Sequence, residues 1–277
     1  MNLATIATKF EPSAATLGVV VPTLNSAATL DWTLCSLLNQ RNCALRVVVA
    51  DSGSTDGTLW ICRKWGVRSV YAPPGSLYRA VNEGLKNLDT EWMTFLNSDD
   101  VAYPHSYARL LQLGDAAGAS LVYGHCDYMD LEGRFLFTWR AAAPSQLPAM
   151  FRRGVFGFAQ PCAIFRRSLF QNLGGFDDRY RHVADLVFFS RAVLSGSPAR
   201  RLSAPSVGAF RLHPGQLSAR DSGAVRTEKL AHIDEDRLRP SISDRVRVLI
   251  WRLANLPNYS ARLAATGRAC WHHFAHS

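Results

Sequence analysis

The chain has 277 residues, 48% of them hydrophobic and 19% charged, a globular balance that can bury one large α/β core and excludes a fibrous or disordered chain. Lys and Arg outnumber Asp and Glu by 31 to 22, and the resulting +9 attracts phosphates, anionic lipids or acidic saccharides at long range without naming any of them. No apolar run approaches the roughly 20 residues of a membrane span, and no fixed-period repeat or low-complexity tract argues for a solenoid or an array.

Met1 to Thr16 carries Lys9 as its one basic residue and is interrupted by Glu11-Pro12, so it is expected to be a frayed leader, not a signal peptide. Leu17-Gly-Val-Val-Val-Pro22 is an apolar run stopped by proline, as in a strand buried on both faces of a parallel sheet. Leu30, Leu34, Leu37 and Leu38 then recur at helical spacing, and Arg46-Val-Val-Val-Ala50 forms a second strand that ends at Asp51. Ser54 or Thr55 is expected to cap a helix running through Trp65. Val67 to Tyr71 reads as a third strand, Ser76 to Leu88 as a helix and Trp92 to Leu96 as a fourth strand. This alternation predicts a parallel sheet covered by helices.

In open sheets of this kind the ligand lies beyond the carboxyl ends of the strands. Here those positions are Thr23-Leu-Asn25, Asp51-Ser-Gly-Ser-Thr-Asp56-Gly57 and Asn97-Ser-Asp-Asp100, polar loops suited to a nucleotide and a metal-bound diphosphate. The second loop fits a plain turn and helix cap equally well. The third could also be a helix start, but two adjacent carboxylates at the end of an apolar strand repel unless a cation neutralises them, and hard oxygen ligands suit Mg or Mn.

The ordered series V-V-V-P-T-L-N, V-V-A-D-S-G-S-T-D-G-T, A-V-N-E-G and T-F-L-N-S-D-D resembles family 2 glycosyltransferases of GT-A fold. The resemblance continues through Phe158 to Phe170, Gly174-Gly-Phe-Asp177, Ala184-Asp185 and Phe210-Arg-Leu-His213. It implies a Rossmann-like nucleotide-sugar-binding fold with a mostly parallel central sheet over residues 17–220, split into a nucleotide-sugar half (17–101) and an acceptor half (102–220), followed by a helical basic extension (221–277). It also implies an inverting transfer from a nucleoside-diphosphate sugar to a saccharide or lipid-linked acceptor in cell-surface polysaccharide synthesis, with a UDP-sugar the expected donor and guanosine or thymidine nucleotides the alternatives. A sugar nucleotidyltransferase is the alternative enzyme, although Thr23 to Ala27 lacks a Gly-rich triphosphate loop; a non-catalytic nucleotide-sugar-binding protein is the other.

Carried over position by position, the resemblance makes Asp185 the catalytic base and Asp99 and Asp100 ligands of Mg or Mn. Pro22, Thr23, Asn25, Asp51, Ser52, Asp56, Arg79, Asn82, Asn97 and Asp99 become nucleotide-sugar contacts, and Gln160, Pro161, Arg211 and His213 contact donor or acceptor. Departures are Ser52 where relatives often carry a second acid, Arg79 in an acid position, where its fork could pair with a phosphate, and Ala184 before Asp185.

The segment 237–277 holds seven Arg and one Asp, with Val246, Leu249, Ile250, Leu253 and Leu263 at partly helical intervals. A basic amphipathic helix there fits an anionic membrane surface and fits packing on its own domain equally well. His272, His273 and His276 could bind metal, though an unstructured terminus accounts for them as well. Six scattered cysteines without a C-x-x-C pair read as reduced thiols and, with no signal-peptide pattern or span expected, predict a cytoplasmic location, peripheral on the inner face of the cell membrane if the tail meets lipid. No basic stripe interleaved with aromatics points to nucleic acid, and the oligomeric state is not encoded in any motif.

Overall fold

A computed structural model describes residues 16–213, 222–258 and 260–261. The leader residues 1–15, Leu263, Cys270, His272, His273 and His276 lie outside the described residues.

The apolar runs become strands at the predicted places: β1 (Thr16–Thr23), β2 (Ala44–Asp51), β3 (Arg68–Tyr71) and β4 (Trp92–Phe95), all parallel. Between them run α1 (Leu30–Leu38), α2 (Thr58–Lys64) and α3 (Leu77–Lys86). After β4 come β5 (Val101–Ala102), α4 (Ser106–Ala116), β6 (Leu121–Gly124), β7 (Cys126–Met129), β8 (Phe135–Trp139) and α5 (Leu147–Phe151). The chain continues with β9 (Ala163–Arg166), α6 (Arg167–Asn172), α7 (Ala184–Leu194), β10 (Ala199–Leu202), β11 (Gly208–Arg211), α8 (Ser222–Glu235) and α9 (Ile242–Ala254).

The large sheet has the order β10-β6-β9-β4-β1-β2-β3, parallel except for β9, which is antiparallel to β4 and β6. A small sheet, β5-β11-β7-β8, follows the end of β4. β1 sits centrally with Leu17, Val19, Val20 and Val21 without solvent access, which is why its sequence is continuously apolar instead of alternating. Helix α3 lies close on this strand: a Cβ at Gly84 would collide with Val20, so glycine is needed for the contact.

One expected boundary moves. Neither Ser54 nor Thr55 caps α2; the helix starts at Thr58, whose backbone N–H and hydroxyl both donate to Asp56 Oδ1. Ser54 and Thr55 are held back in the loop, where the Ser54 N–H donates to Asp51 and the Thr55 N–H to Asn25.

The basic C-terminal segment packs on the body of the protein through one face of α9. Val248 and Trp251 enter the core, Trp251 meets Trp139 edge to face at 5.3 Å, and Arg140 N–H donates to Asn255 Oδ1. Ser241 caps the helix reciprocally with Asp244. Asp244 is buried and also takes both forks of Arg152, at 2.9 and 2.7 Å. No helix among the described residues is long and apolar enough to cross a membrane.

The Arg152 hydrogen bonds hold the Asp244 carboxyl far below the usual carboxylate range. A depressed pKa in the folded state adds stability that is present above the unfolded value, about 4, and lost as pH falls below it. Asp244→Asn is therefore expected to lower the unfolding free energy by about 1–3 kcal/mol at neutral pH. Urea titrations at several pH values should show that difference shrinking below about pH 4.

Candidate active site

The loops after β1, β2 and β4 converge as expected and are bound to one another. Asn25 N–H donates to Ser54 Oγ, Ser26 N–H to Thr58 Oγ1 and Ala27 N–H to Asp56 Oδ2, while Ser98 Oγ donates to Ser26 Oγ at 2.8 Å. Asn25 takes φ of 53°, a left-handed conformation that Asn tolerates better than most residues, and its Oδ1 receives Thr55 N–H. The three strand ends thus form one hydrogen-bonded rim.

Asp51 is the hub of that rim. Its carboxylate accepts from Thr23 Oγ1, Ser54 Oγ, Gly53 N–H and Ser54 N–H. Burial pushes this carboxyl up, but the Ser54, Thr23 and Gly53 donors outweigh it and hold it below the usual range. Four in-chain donors fill the four lone-pair sites of a carboxylate, so Asp51 shapes the loop before it can read a base. Asp56 is spent in the same way on Thr58 and Ala27. Pro22 is buried within β1 opposite Ala50 and Thr23 is buried with its hydroxyl on Asp51, whereas Asn25 and Ser52 retain solvent access.

The acidic pair after β4 does not present two carboxylates to one cation. Asp100 has no solvent access: its Oδ1 accepts Arg211 N–H at 3.0 Å, its Oδ2 accepts from Asn97 Nδ2 at 3.3 Å, and its backbone carbonyl accepts Thr33 Oγ1. Burial, and then the neighbouring Asp99 charge, push the Asp100 carboxyl well up. Inside the protein the Asp100 carboxyl is met by the Arg211 N–H and the Asn97 amide, and the Arg211 guanidinium donates to the carbonyl of the neighbouring Asp99. Asp99 alone offers an accessible carboxylate, with His213 Nε2 2.8 Å from its Oδ2. Arg211 is buried, and its guanidinium donates to the carbonyls of Asp99, Asp130 and Leu131 instead of projecting toward a phosphate.

Asn97 Oδ1 is buried beside this pair with no hydrogen-bond partner among the described residues, an acceptor that a ligand hydroxyl or water would satisfy. Asp99 and His213 fit a divalent cation as a shared site and not as a closed cage. The carboxylate oxygen suits Mg or Mn that takes its remaining ligands from phosphates and water, and the imidazole favours Mn, the softer of the two. Among the described residues no group of three His, Cys, Asp or Glu side chains forms a self-sufficient metal site.

Asp185 lies in the first turn of α7 but does not cap it; its Oδ1 accepts Tyr78 Oη and Leu186 N–H, each at 2.8 Å. Tyr78 comes from α3, and its ring packs against Phe95 at the end of β4 and stacks on Phe176 at 5.9 Å, which ties Asp185 to the strand end that leads into Asn97. Burial raises the Asp185 carboxyl above the ordinary range despite the Tyr78 bond. The sequence missed Tyr78 in this role and also missed Glu228, on α8, whose carboxylate accepts the N–H groups of Arg181, His182 and Val183 just before α7. Neither had a local signal, since each contact spans distant parts of the chain.

Three expected contacts are committed elsewhere. Arg79 is on the surface, where its Nε donates to Asp178 at 3.1 Å. Asn82 uses both ends of its amide on Phe176, accepting its N–H at 2.9 Å and donating to its carbonyl at 2.7 Å. Buried Gln160 donates to the Phe95 carbonyl at 2.7 Å, and Pro161 is buried in the same short turn.

A family model described as Glycosyl transferase family 2 matches residues 18–174. A succinoglycan biosynthesis protein, ExoO, of Rhizobium meliloti is 28% identical over 78% of this chain, which spans 64% of that relative's length. The structure of Staphylococcus aureus TarS 1-349 with UDP-GlcNAc superposes with a TM-score of 0.62 at 20% identity, covering 84% of this chain and 69% of that one. The mannosyltransferase PcManGT of Pyrobaculum calidifontis, with GDP-Man and Mn2+, gives 0.59 at 18% identity, covering 93% and 77%. These structural likenesses establish the GT-A fold expected from the sequence.

Removing the Asn82 amide leaves the Phe176 N–H and carbonyl unpaired in a partly enclosed turn. Asn82→Ala is expected to lower the unfolding free energy by about 1–3 kcal/mol, measured by urea titration. An unchanged midpoint would show that the Phe176 turn does not depend on the Asn82 amide.

Proposed function

The chain belongs to glycosyl transferase family 2, and from that premise we propose that it is an inverting glycosyltransferase acting on a nucleoside-diphosphate sugar. The observation that carries the reading is the joining of three strand-end loops into one rim, with the accessible Asp99 and the half-buried Asp185 both anchored around the end of β4. Asp99 and His213 would hold a divalent cation, which would neutralise charge on the departing diphosphate. Asn97 Oδ1 supplies an unused acceptor for a donor hydroxyl.

Asp185 removes the acceptor hydroxyl's proton as that oxygen attacks the anomeric carbon. The bond to the diphosphate breaks, the nucleoside diphosphate leaves, and one displacement inverts the configuration. Tyr78 and the Leu186 N–H fix the orientation of the Asp185 carboxylate, while Glu228 holds the chain that enters α7. A buried carboxyl with a raised pKa is a stronger base than an exposed one and still titrates below the hydroxyl it serves.

For the donor we propose a UDP-sugar, supported by the UDP-GlcNAc bound to TarS, and for the acceptor a saccharide or lipid-linked glycan, supported by the succinoglycan role of the ExoO relative. Incubating the chain with a panel of nucleotide sugars and Mn or Mg, and following release of nucleoside diphosphate, tests transfer and donor choice together. Binding of nucleoside diphosphates without turnover on any acceptor would favour a non-catalytic sugar-nucleotide receptor.

Two substitutions separate the assigned roles. Asp185→Asn is expected to lower kcat by about 10²–10⁴ with donor binding little changed. The acidic limb of the wild-type pH–rate profile should lie above the range of an ordinary aspartate, because the base must be ionised and burial raises its pKa. Asp99→Asn should instead weaken donor binding and remove its dependence on Mn, read by thermal shift with nucleoside diphosphate. An Asp99→Asn protein with unchanged Mn dependence would exclude it as a metal ligand.

A further inference from the structure

Helix α9 is fixed by one face and leaves an organised second face in solvent. Asp244, Val248, Trp251 and Arg252 are buried against the protein, and the Arg152–Asp244 ion pair and the Trp139–Trp251 contact prevent the helix from turning about its axis. On the far side Ile242, Val246, Leu249, Ile250 and Leu253 are each at least half exposed, with Ile242 at 79%. With 3.6 residues per turn these five positions fall within an arc of about 100° that points away from the buried face. Arg245 and Arg247 are also exposed, and the same geometry puts one on each side of the apolar arc.

The exposed charge of this segment is of one sign. Arg237, Arg239, Arg245 and Arg247 are exposed, whereas its acid, Asp244, is buried and neutralised by Arg152. A hydrophobic arc bracketed by arginines on a helix anchored from behind matches the depth profile of a bilayer surface: apolar side chains reach the acyl boundary and the guanidinium groups remain at phosphate level. A second copy of the chain is a poorer occupant, because a two-fold contact through this face would bring the flanking arginines of the two copies together.

We propose that the outer face of α9 is a docking surface for an anionic phospholipid membrane, with Ile242, Val246, Leu249, Ile250 and Leu253 inserting and Arg245 and Arg247 contacting lipid phosphates. The fold then holds the transferase site at a fixed orientation to the bilayer, since α9 is rigidly joined to β8 and α5. The proposal concerns a surface and stands whether or not the donor is a UDP-sugar.

The test is co-sedimentation of the full chain with vesicles of phosphatidylcholine alone and of phosphatidylcholine mixed with phosphatidylglycerol. The wild-type chain should bind the anionic vesicles at least roughly tenfold better, and rising salt should weaken that binding. Leu249→Ser with Leu253→Ser, and separately Arg245→Glu with Arg247→Glu, should each reduce binding by roughly tenfold or more, with circular dichroism and nucleotide binding unchanged. Both pairs are exposed, so loss of fold does not confound them. Equal binding to both vesicle types, undiminished binding by both double variants, or a dimer in solution that Leu253→Ser dissociates would each overturn the proposal.

Discussion

A carboxyl group with no access to water holds the two sheets of this protein in register. Asp100 follows the central strand β4, and its side chain accepts the backbone N–H of Arg211 at the end of β11 in the small sheet, while its own carbonyl takes the Thr33 hydroxyl from α1. These bonds reach from the loop after β4 to the small sheet on one side and to α1 on the other, so the ordering of its neighbours depends on them. Fixing Arg211 also fixes the residues beyond it, so His213 arrives beside Asp99. The one accessible carboxylate of the acidic pair is thereby oriented by its inaccessible neighbour.

The same economy runs through the rim of the site. Asp51, Asp56 and Asn82 are residue types expected at a nucleotide site, yet each uses its polar atoms on the protein itself. Their contribution is pre-organisation: loops that would otherwise sample many conformations are fixed before a ligand arrives, which lowers the entropic cost of binding. Around this framework Asn25, Ser52, Asp99, His213 and Asp185 keep solvent access, and Asn97 Oδ1 has no partner among the described residues. A polar side chain in a binding loop can either touch the ligand or hold the loop, and only the geometry distinguishes the two.

The C-terminal helices extend this logic beyond the residues matched by the family model. Helix α8 secures the approach to Asp185 through Glu228, and Arg191 on α7 is paired with Asp236 just after α8. Helix α9 is clamped by Arg152 and Trp139, so its exposed face belongs to the same rigid body as the site. Packing on the protein and presenting an amphipathic surface are therefore compatible properties of one segment, carried by opposite faces of a single helix.

The sequence by itself determined the parallel half of the fold. β1, β2 and β4 are short runs rich in apolar residues, and a signal confined to a few consecutive residues survives without knowledge of the rest of the chain. It also determined which loops meet, since strand polarity dictates that they lie at one edge of the sheet. Tertiary structure alone decided the antiparallel insertion of β9, the small sheet, the displacement of the α2 start to Thr58, the internal use of Asp100, Asn82 and Arg79, and the roles of Tyr78 and Glu228. Apart from the α2 start, which the neighbouring Asp56 sets, these rest on partners far apart in the chain, such as Tyr78 with Asp185 or Asp100 with Arg211. A hydrogen bond between such partners is selected by packing in three dimensions and leaves no periodic trace in the residues that make it.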